Sequence, residues 1–173
     1  PNHIAAGNDG GFYVSYDKGL SWMHYNNIPV GEFYDITVDQ KNYTIYGGTQ
    51  DNATVYGPPK EINLKSPDLW KYIWIDPWDG GDGCVTAIDP EDANTIYYSA
   101  QHGAIVRFDK NADTAKGIRP KLPSEIKDTL LFNYITPYFI SPHQKETLYH
   151  GGNYIFKSID RGNNWKVISP NLT

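Results

Sequence analysis

The chain has 173 residues, enough for one domain with a sizeable core, and it has no run of 18 consecutive apolar residues that could span a membrane. Its net charge of −5 and the absence of a basic cluster from the sequence argue against nucleic-acid binding, because phosphate recognition needs a positive surface. The 14 Tyr, 5 Trp and 6 Phe favour strands, and the 16 Gly and 12 Pro favour tight turns, so the composition predicts an all-β protein.

Short strands are predicted in four successive segments of the chain. Residues 1–28 supply three strands, and residues 29–76 supply four, "FYDITVD", "YTIYGGTQ", "ATVYGP" and "WKYIW". Residues 77–120 contain "CVTAIDP", "TIYYSAQ", "AIVRFDK" and a short strand around 116–119. Residues 121–170 contain "YFISP", "TLYHGG", "YIFKSID" and "WKVIS". These runs are rich in β-branched and aromatic residues and are bounded by turn residues, which is typical of strands.

The four segments are repeats, because three sets of positions recur about every 50 residues. The sets are Ile4, Ile45, Ile96 and Leu148; the stretches "ITVD" (36–39), "TAID" (86–89) and "YFIS" (138–141); and Trp22, Trp70 and Trp165. Four strands in a repeat of this length indicate a β-propeller blade, which is a four-stranded antiparallel sheet. The sequence therefore predicts a partial propeller of about three and three-quarter blades. We expect its open edges to be covered by the remaining blades, from the same or another chain.

An octapeptide pattern, Ser-x-Asp-x-Gly-x-x-Trp, occurs in the first and the last repeat between the predicted third and fourth strands. In such a turn the Gly tolerates a positive φ, the Asp accepts backbone hydrogen bonds, and the Trp covers the hairpin. Each motif offers a single carboxylate, so it predicts a structural turn and no metal site. The residues are Ser15, Asp17, Gly19 and Trp22 in the first motif, and Ser158, Asp160, Gly162 and Trp165 in the second.

Polar residues recur at the corners between second and third strands, which antiparallel topology places at one end of the ring together with the links between blades. The corner residues, one per repeat, are Asp9, Asp51, His102 and Asn153. The link at 75–83 adds Trp78, Asp79 and Asp82, with the Trp as a flat platform for a sugar ring or an apolar side chain. Two interpretations stay open: a ligand-binding rim, or Asp and Asn that occupy tight turns for local backbone reasons.

The octapeptides resemble the Asp-box (BNR) repeats of sialidases, sortilin-type domains and two-propeller xyloglucan-cleaving glycosidases. Stretches such as "GNDGGFYVSYDKGLSW", "GGTQDN" and "SPHQKETLYHGGNYIFKSIDRGNNWKVISPNLT" are similar to those of bacterial sortilin-type and "glycosyl hydrolase, BNR repeat" proteins. The resemblance covers essentially the whole chain. It implies a bacterial protein that is secreted, periplasmic or on the cell surface.

Two functions follow from these features. The favoured one is a scaffold that binds a protein, peptide or glycan, because Asp-boxes identify a fold and supply no catalytic pair. The alternative is a xyloglucanase-like glycoside hydrolase, in which Asp9 resembles the corner that supplies one catalytic carboxylate and Asp51 is its repeat equivalent. The second carboxylate would then lie outside this chain. The five His have no zinc-ligand spacing, and no cofactor is predicted.

Overall fold

The computed structural model describes residues 2–8, 11–25, 31–58, 70–73 and 81–173. The chain divides into two compact units, 1–31 and 32–173. The described part contains strands and no helix, so none of it is a helix long and apolar enough to cross a membrane. All-β architecture, as the composition predicts, is confirmed.

The first unit is a three-stranded antiparallel sheet in the order β1-β2-β3. Its strands are β1 (Ile4–Asn8), β2 (Gly11–Ser15) and β3 (Met23–Tyr25). Ile4 pairs with Ser15 and Asn8 with Gly11, so β1 and β2 form a hairpin in a single register.

The second unit contains three four-stranded antiparallel sheets, each in chain order. The first sheet consists of β4 (Phe33–Val38), β5 (Ile45–Thr49), β6 (Thr54–Gly57) and β7 (Lys71–Ile73). The second consists of β8 (Thr86–Ile88), β9 (Thr95–Ser99), β10 (Ile105–Asp109) and β11 (Thr114–Gly117). The third consists of β12 (Tyr138–Ile140), β13 (Leu148–Gly151), β14 (Ile155–Ser158) and β15 (Lys166–Val167). Three strands followed by three sets of four is the partial propeller that the repeat register predicts.

One strand differs from its prediction, since β11 begins at Thr114 and not near residue 116. The cause is the hairpin before it. The carboxylate of Asp109 accepts hydrogen bonds from the N–H groups of Asn111 and Ala112, and Asp109 pairs directly with Thr114. This tight turn lets the fourth strand start earlier.

The apolar core lies between successive sheets of the second unit. Alternate residues of β9 point to opposite faces, so Tyr98 packs toward the sheet before it and Tyr97 toward the sheet after it. One cluster joins Tyr46 and Ile73 to Ile96, Tyr98, Val106 and Phe108. The other joins Tyr97, Ile105 and Ile118 to Tyr138 and Leu148. Every residue of β9 is buried because both faces of the middle sheet are covered.

Polar contacts fix the first strands of neighbouring sheets against each other. The Thr37 hydroxyl on β4 donates a 2.8 Å hydrogen bond to the Thr86 carbonyl on β8, and the Thr86 N–H donates to the Asp35 carboxylate at 3.0 Å. Backbone also approaches backbone closely here, because a Cβ added to Gly48 would lie 2.0 Å from the Cys84 carbonyl oxygen. Only glycine fits at that position.

Candidate functional site

The candidate site is centred on the buried carboxylate of Asp82, in the link that precedes β8. Asp82 is 4% exposed. One carboxylate oxygen accepts a 2.8 Å hydrogen bond from the Asp51 backbone N–H, and the other accepts from the hydroxyls of Tyr34, at 3.1 Å, and Tyr134. Three segments that are far apart in sequence therefore meet on one side chain.

The backbone around Asp82 fixes the corner between β5 and β6. Ala53 forms a parallel bridge with Asp82, and its N–H donates to the Gly81 carbonyl at 2.9 Å. Asp51 and Ala53 both have a left-handed backbone, with φ of 58° and 54°, so this corner is a tight turn. Its hydrogen bonds to Gly81 and Asp82 attach it to the link. The Asp51 side chain is exposed, and no described residue donates a hydrogen bond to its carboxylate.

The hydrogen bonds around Asp82 set the charge state of the site. Burial alone would raise the pKa of Asp82, but the donors Tyr134, Asp51 and Tyr34 outweigh it and hold this pKa below its usual range. Burial, reinforced by the contact with Asp82, raises the pKa of Tyr34 to about 12. The hydrogen bond to Asp82 also raises the pKa of Tyr134. At neutral pH the centre is a carboxylate with two protonated tyrosines.

The corner between β9 and β10 joins the same site through Tyr134. The His102 N–H donates to the Tyr134 carbonyl at 3.0 Å, and the two rings meet edge to face with centroids 5.4 Å apart. His102 also has a left-handed backbone, with φ of 56°. Tyr134 is 47% exposed, so its hydroxyl is held while part of its ring faces solvent. Asp51, His102 and Tyr134, anchored by Asp82, are called the corner face below.

Asn153 occupies the equivalent corner in the last sheet but is 4% exposed. Its amide oxygen accepts a 2.8 Å hydrogen bond from the Leu131 N–H, and its amide nitrogen donates to the Thr129 carbonyl at 2.9 Å. The side chain therefore anchors the link between the second and third sheets. Its sequence position suggested a ligand contact, but the amide is engaged at both ends within the protein.

The remaining residues predicted for this end, Asp9, Trp78 and Asp79, lie outside the described residues. Tyr34 and Tyr134 are not among the residues that the sequence predicts for this site. Tyr34 belongs to the alternating run "FYDITVD", and Tyr134 follows Phe132 in the link before β12. Tyr34 lies at the start of a first strand and Tyr134 lies four residues before one, which is the one signal that could have identified them.

The two octapeptides make the same set of hydrogen bonds. In the second, the Ser158 hydroxyl donates to Asp160 at 2.8 Å and accepts from the Gly162 N–H at 2.9 Å, and Asp160 accepts from the Asn164 N–H at 2.8 Å. In the first, the corresponding distances are 2.8, 2.7 and 2.9 Å, with Ser15, Asp17, Gly19 and Ser21 as partners. Gly19 and Gly162 have φ of 91° and 82°. Each carboxylate is thus engaged by its own turn.

The hydrogen bonds of these turns lower the pKa of both octapeptide Asp residues, whereas the two Trp side chains have different environments. Hydrogen bonds from the hydroxyl and N–H of Ser21, then from Ser15, lower the pKa of Asp17 to about 2. The Asn164 N–H is the main cause that lowers the pKa of Asp160. The Trp165 indole donates to the Ile118 carbonyl at 2.7 Å, whereas Trp22 is exposed within its unit.

A polar cleft of about 690 Å³ lies between the last two sheets, beside the second octapeptide. Ion pairs and hydrogen bonds cross this cleft. Arg161 is 2.9 Å from Asp89 and 3.0 Å from Glu146, and Arg107 donates to the Arg161 carbonyl at 2.8 Å. These contacts connect the two sheets. Within the described residues, no group of three or more His, Cys, Asp or Glu side chains could hold a metal ion.

Comparison with known proteins identifies the fold. Neither a protein-family model nor a curated protein sequence matches the chain. The GH74 xyloglucanase from Xanthomonas campestris matches with a TM-score of 0.58 and 15% identity, over 96% of this chain and 28% of that one. The GH74 enzyme from Niastella koreensis matches with a TM-score of 0.54 and 16% identity, over 95% and 27%. YCF48 bound to D1 peptide matches with a TM-score of 0.54 and 11% identity, over 96% and 49%.

This chain has a β-propeller fold, as these structures do. It spans just over a quarter of the length of the two GH74 enzymes and about half the length of YCF48. Identities of this size establish shared architecture, and function must be argued from the site.

Proposed function

We propose that this chain is part of an extracytoplasmic Asp-box propeller that binds a polypeptide segment on the corner face. The observation that carries the proposal is that donors within the protein engage both oxygens of the Asp82 carboxylate. This carboxylate holds both the Asp51 backbone and the Tyr134 hydroxyl, while the Asp51 side chain is exposed and accepts no hydrogen bond from a described residue, and Tyr134 is 47% exposed. A charged residue on a fixed backbone, in the same cluster as an exposed aromatic ring, is typical of recognition sites, since less entropy is lost on binding.

The chemistry of the corner face indicates the kind of segment. Asp51 offers an exposed carboxylate, the Tyr134 ring offers apolar area, and the whole chain carries a net charge of −5. A basic side chain beside an apolar one complements both groups. That YCF48, a protein of the same fold, has been solved with the D1 peptide bound supports a peptide over other ligands.

The test compares Asp51→Asn with Asp113→Asn. Both Asp residues are exposed and left-handed, with φ of 58° and 50°, but Asp113 lies in the β10–β11 turn at the opposite end of its sheet from the β9–β10 corner. Each change removes one negative charge and keeps a residue that tolerates this conformation. Binding is measured by biolayer interferometry against a synthetic 15-residue peptide library, in which each Lys/Arg peptide has a Gln-substituted twin.

We expect basic peptides to bind better than their Gln twins, and Asp51→Asn to weaken them by about tenfold, the value of one well-placed charge contact. Asp113→Asn should leave binding unchanged. Equal binding of the twins, or equal loss in both variants, would overturn the proposal. Binding confined to xyloglucan oligosaccharides in a parallel titration would replace the peptide with a glycan.

The hydrolase alternative rests on the GH74 fold similarity. Glycosidases need two carboxyl groups about 5–9.5 Å apart, one with a raised pKa. Asp82 does not fit the general-acid role, because its pKa is lowered and three donors engage its carboxylate. Release of reducing sugar from xyloglucan, abolished by Asp51→Asn or Asp9→Asn, would establish hydrolysis. The proposed location rests on the Asp-box resemblance, and cell fractionation with an antibody to this chain tests it.

A further inference from the structure

Phe132, near the end of the link between the second and third sheets, packs into a notch formed by two corners. A Cβ added at Gly103, after β9, would lie 2.5 Å from its ring, and a Cβ added at Gly152, after β13, would lie 2.9 Å from it. Arg119 lies over the same ring, with its guanidinium carbon 5.0 Å from the centroid. The notch exists because both corners have glycine, so the ring connects the β9–β10 corner to the β13–β14 corner.

The buried His150 lies directly against Phe132. The two rings meet edge to face, with centroids 5.1 Å apart. His150 is 1% exposed, and the rings of Tyr138 and Trp165 have centroids 6.4 and 6.0 Å from its own. Tyr138 belongs to β12 and Trp165 to the second octapeptide, so Phe132 is the ring that the link contributes to the cover of the imidazole.

Among the described residues, the imidazole of His150 faces no anion. Its ionisable neighbours there are the Tyr138 phenol and the Arg119 guanidinium, no ion pair of these residues includes it, and β14 contributes the apolar Phe156 as its pairing partner. The Tyr138 hydroxyl donates to the Val85 carbonyl at 3.0 Å and is uncharged, because burial raises its pKa well above the ordinary value. A protonated His150 in this place would be a buried cation beside a second cation, which is unfavourable.

Phe132 lies between two points at which the link is anchored. Before it, Leu131 donates its N–H to the Asn153 amide oxygen at 2.8 Å and accepts from the Asn153 N–H at 3.0 Å. After it, the Tyr134 carbonyl accepts from the His102 N–H at 3.0 Å. Because a single residue separates Phe132 from Tyr134, movement of Phe132 out of the notch would pull on Tyr134 and hence on the corner face.

We infer that His150 and Phe132 form a pH-sensitive switch, in which protonation of the buried imidazole releases Phe132 from the notch and takes Tyr134 away from the corner face in mild acid. The consequence for binding rests on the function proposed above, whereas the release of Phe132 can be measured without a ligand. In the released form solvent reaches the imidazole, so this form takes up the proton first.

The size of the effect follows from the two forms of His150. With Phe132 in the notch, burial lowers the pKa of His150 from 6.5 to about 4; the Gly103 backbone opposes this shift and the charge of Arg119 adds to it. The released form has the ordinary pKa of an exposed imidazole. A decrease from pH 7.5 to pH 5 therefore favours the released form by up to about 30-fold.

The test follows hydrogen exchange of the His102 and Asn153 amides by NMR at pH 7.5 and pH 5, because both amides donate to the link. The rates are expressed as protection factors, which removes the intrinsic effect of pH on exchange. His150→Leu removes the titrating group, and His143→Leu, at an exposed site, is the matched control. The amides of β9 report whether the whole sheet unfolds.

We expect the protection of His102 and Asn153 to fall by about 10- to 30-fold from pH 7.5 to pH 5 in the parent and in His143→Leu, and to stay constant in His150→Leu. Constant protection in the parent, an equal fall in His150→Leu, or an equal fall in β9 would overturn the inference. Phe132→Ala is a second test that leaves His150 in place. It should lower the protection of both amides already at pH 7.5, and protection equal to that of the parent would also overturn the inference.

Peptide binding separates this inference from the proposed function. A basic peptide that binds the corner face at pH 7.5 should, at saturation, restore the protection of His102 and Asn153 at pH 5, because it binds the form with Tyr134 in place. Binding at pH 5 without this gain would overturn the coupling between the switch and the corner face. If no basic peptide binds at pH 7.5, the proposed function fails, while the exchange measurement still decides the switch.

Discussion

The backbone N–H of Asp51 donates a 2.8 Å hydrogen bond to the carboxylate of Asp82, 31 residues further along the chain. The same carboxylate accepts hydrogen bonds from the hydroxyls of Tyr34, in the first strand of one sheet, and Tyr134, in the link before the first strand of another. A residue that resembles an ordinary turn Asp in the sequence therefore fixes the corner face.

Replacing Asp82 with Asn should lower the free energy of unfolding by about 1–3 kcal/mol, because three donors lose a buried, charged acceptor. The folded pKa of Asp82 is lowered, so its contribution is present above the unfolded pKa of about 3.9 and is lost as pH falls through the folded value. Urea unfolding at pH 7 and at pH 3 measures both effects, with Asp113→Asn as control. Equal stability of Asp82→Asn and Asp113→Asn at pH 7 would contradict the role of Asp82.

His150 should make the protein less stable in mild acid. It is 1% exposed among Phe132, Tyr138 and Trp165, and neither ring nitrogen has a well-formed hydrogen bond to a described residue. Burial lowers the pKa of His150 from 6.5 to about 4; the Gly103 backbone opposes this shift and the charge of Arg119 adds to it. Between these values the unfolded chain binds the extra proton, so stability falls as pH decreases from 6.5 to 4, by up to about 3 kcal/mol.

The change His150→Leu removes the titrating group and keeps an apolar side chain of similar size. We expect this variant to lose the pH dependence between 6.5 and 4 and to be at least as stable as the parent at pH 5, because two unpaired polar atoms are removed. Denaturant unfolding across this range is the measurement. A parent protein whose stability is constant from pH 6.5 to 4 would refute the assignment.

Gly48 and Gly7 occupy the same repeat position, yet alanine should affect them in opposite ways. Gly48→Ala places a Cβ 2.0 Å from the Cys84 carbonyl oxygen, so we expect a loss of about 2–3 kcal/mol or failure to fold. Gly7→Ala meets open space and should change stability by less than about 0.5 kcal/mol. Thermal unfolding compares the pair. Similar losses at both positions would contradict this difference in packing.

Ser158→Ala should destabilise the last sheet by about 1–3 kcal/mol, because the buried Gly162 N–H loses its acceptor. Ser124→Ala, at an exposed site, is the matched control and should be neutral. Chemical unfolding monitored by Trp fluorescence is suited to the comparison, since Trp165 lies in the same turn. A neutral Ser158→Ala would mean that the octapeptide hydrogen bonds contribute little to folding.

The sheets could be predicted from the sequence because strand signals are local. Ile4, Ile45, Ile96 and Leu148 stand at one register position, and turn residues separate the runs. The roles at the corner face could not be predicted in the same way. Asp51 and Asn153 occupy similar polar corners, but one is exposed, and the other is buried because the link at 120–133 folds back onto it. That difference depends on contacts between segments far apart in sequence.

Each described strand pairs only with strands adjacent to it in the chain, and this order has a consequence for synthesis on the ribosome. A sheet can form as soon as its own repeat of about 50 residues has emerged, since no partner from a distant segment is needed. Its second apolar face, such as the one formed by Tyr97 and Ile105, stays uncovered until the following repeat arrives with Tyr138 and Leu148. During translation the most recently formed sheet therefore exposes an apolar face to solvent. A pause between repeats would prolong this exposure and favour aggregation.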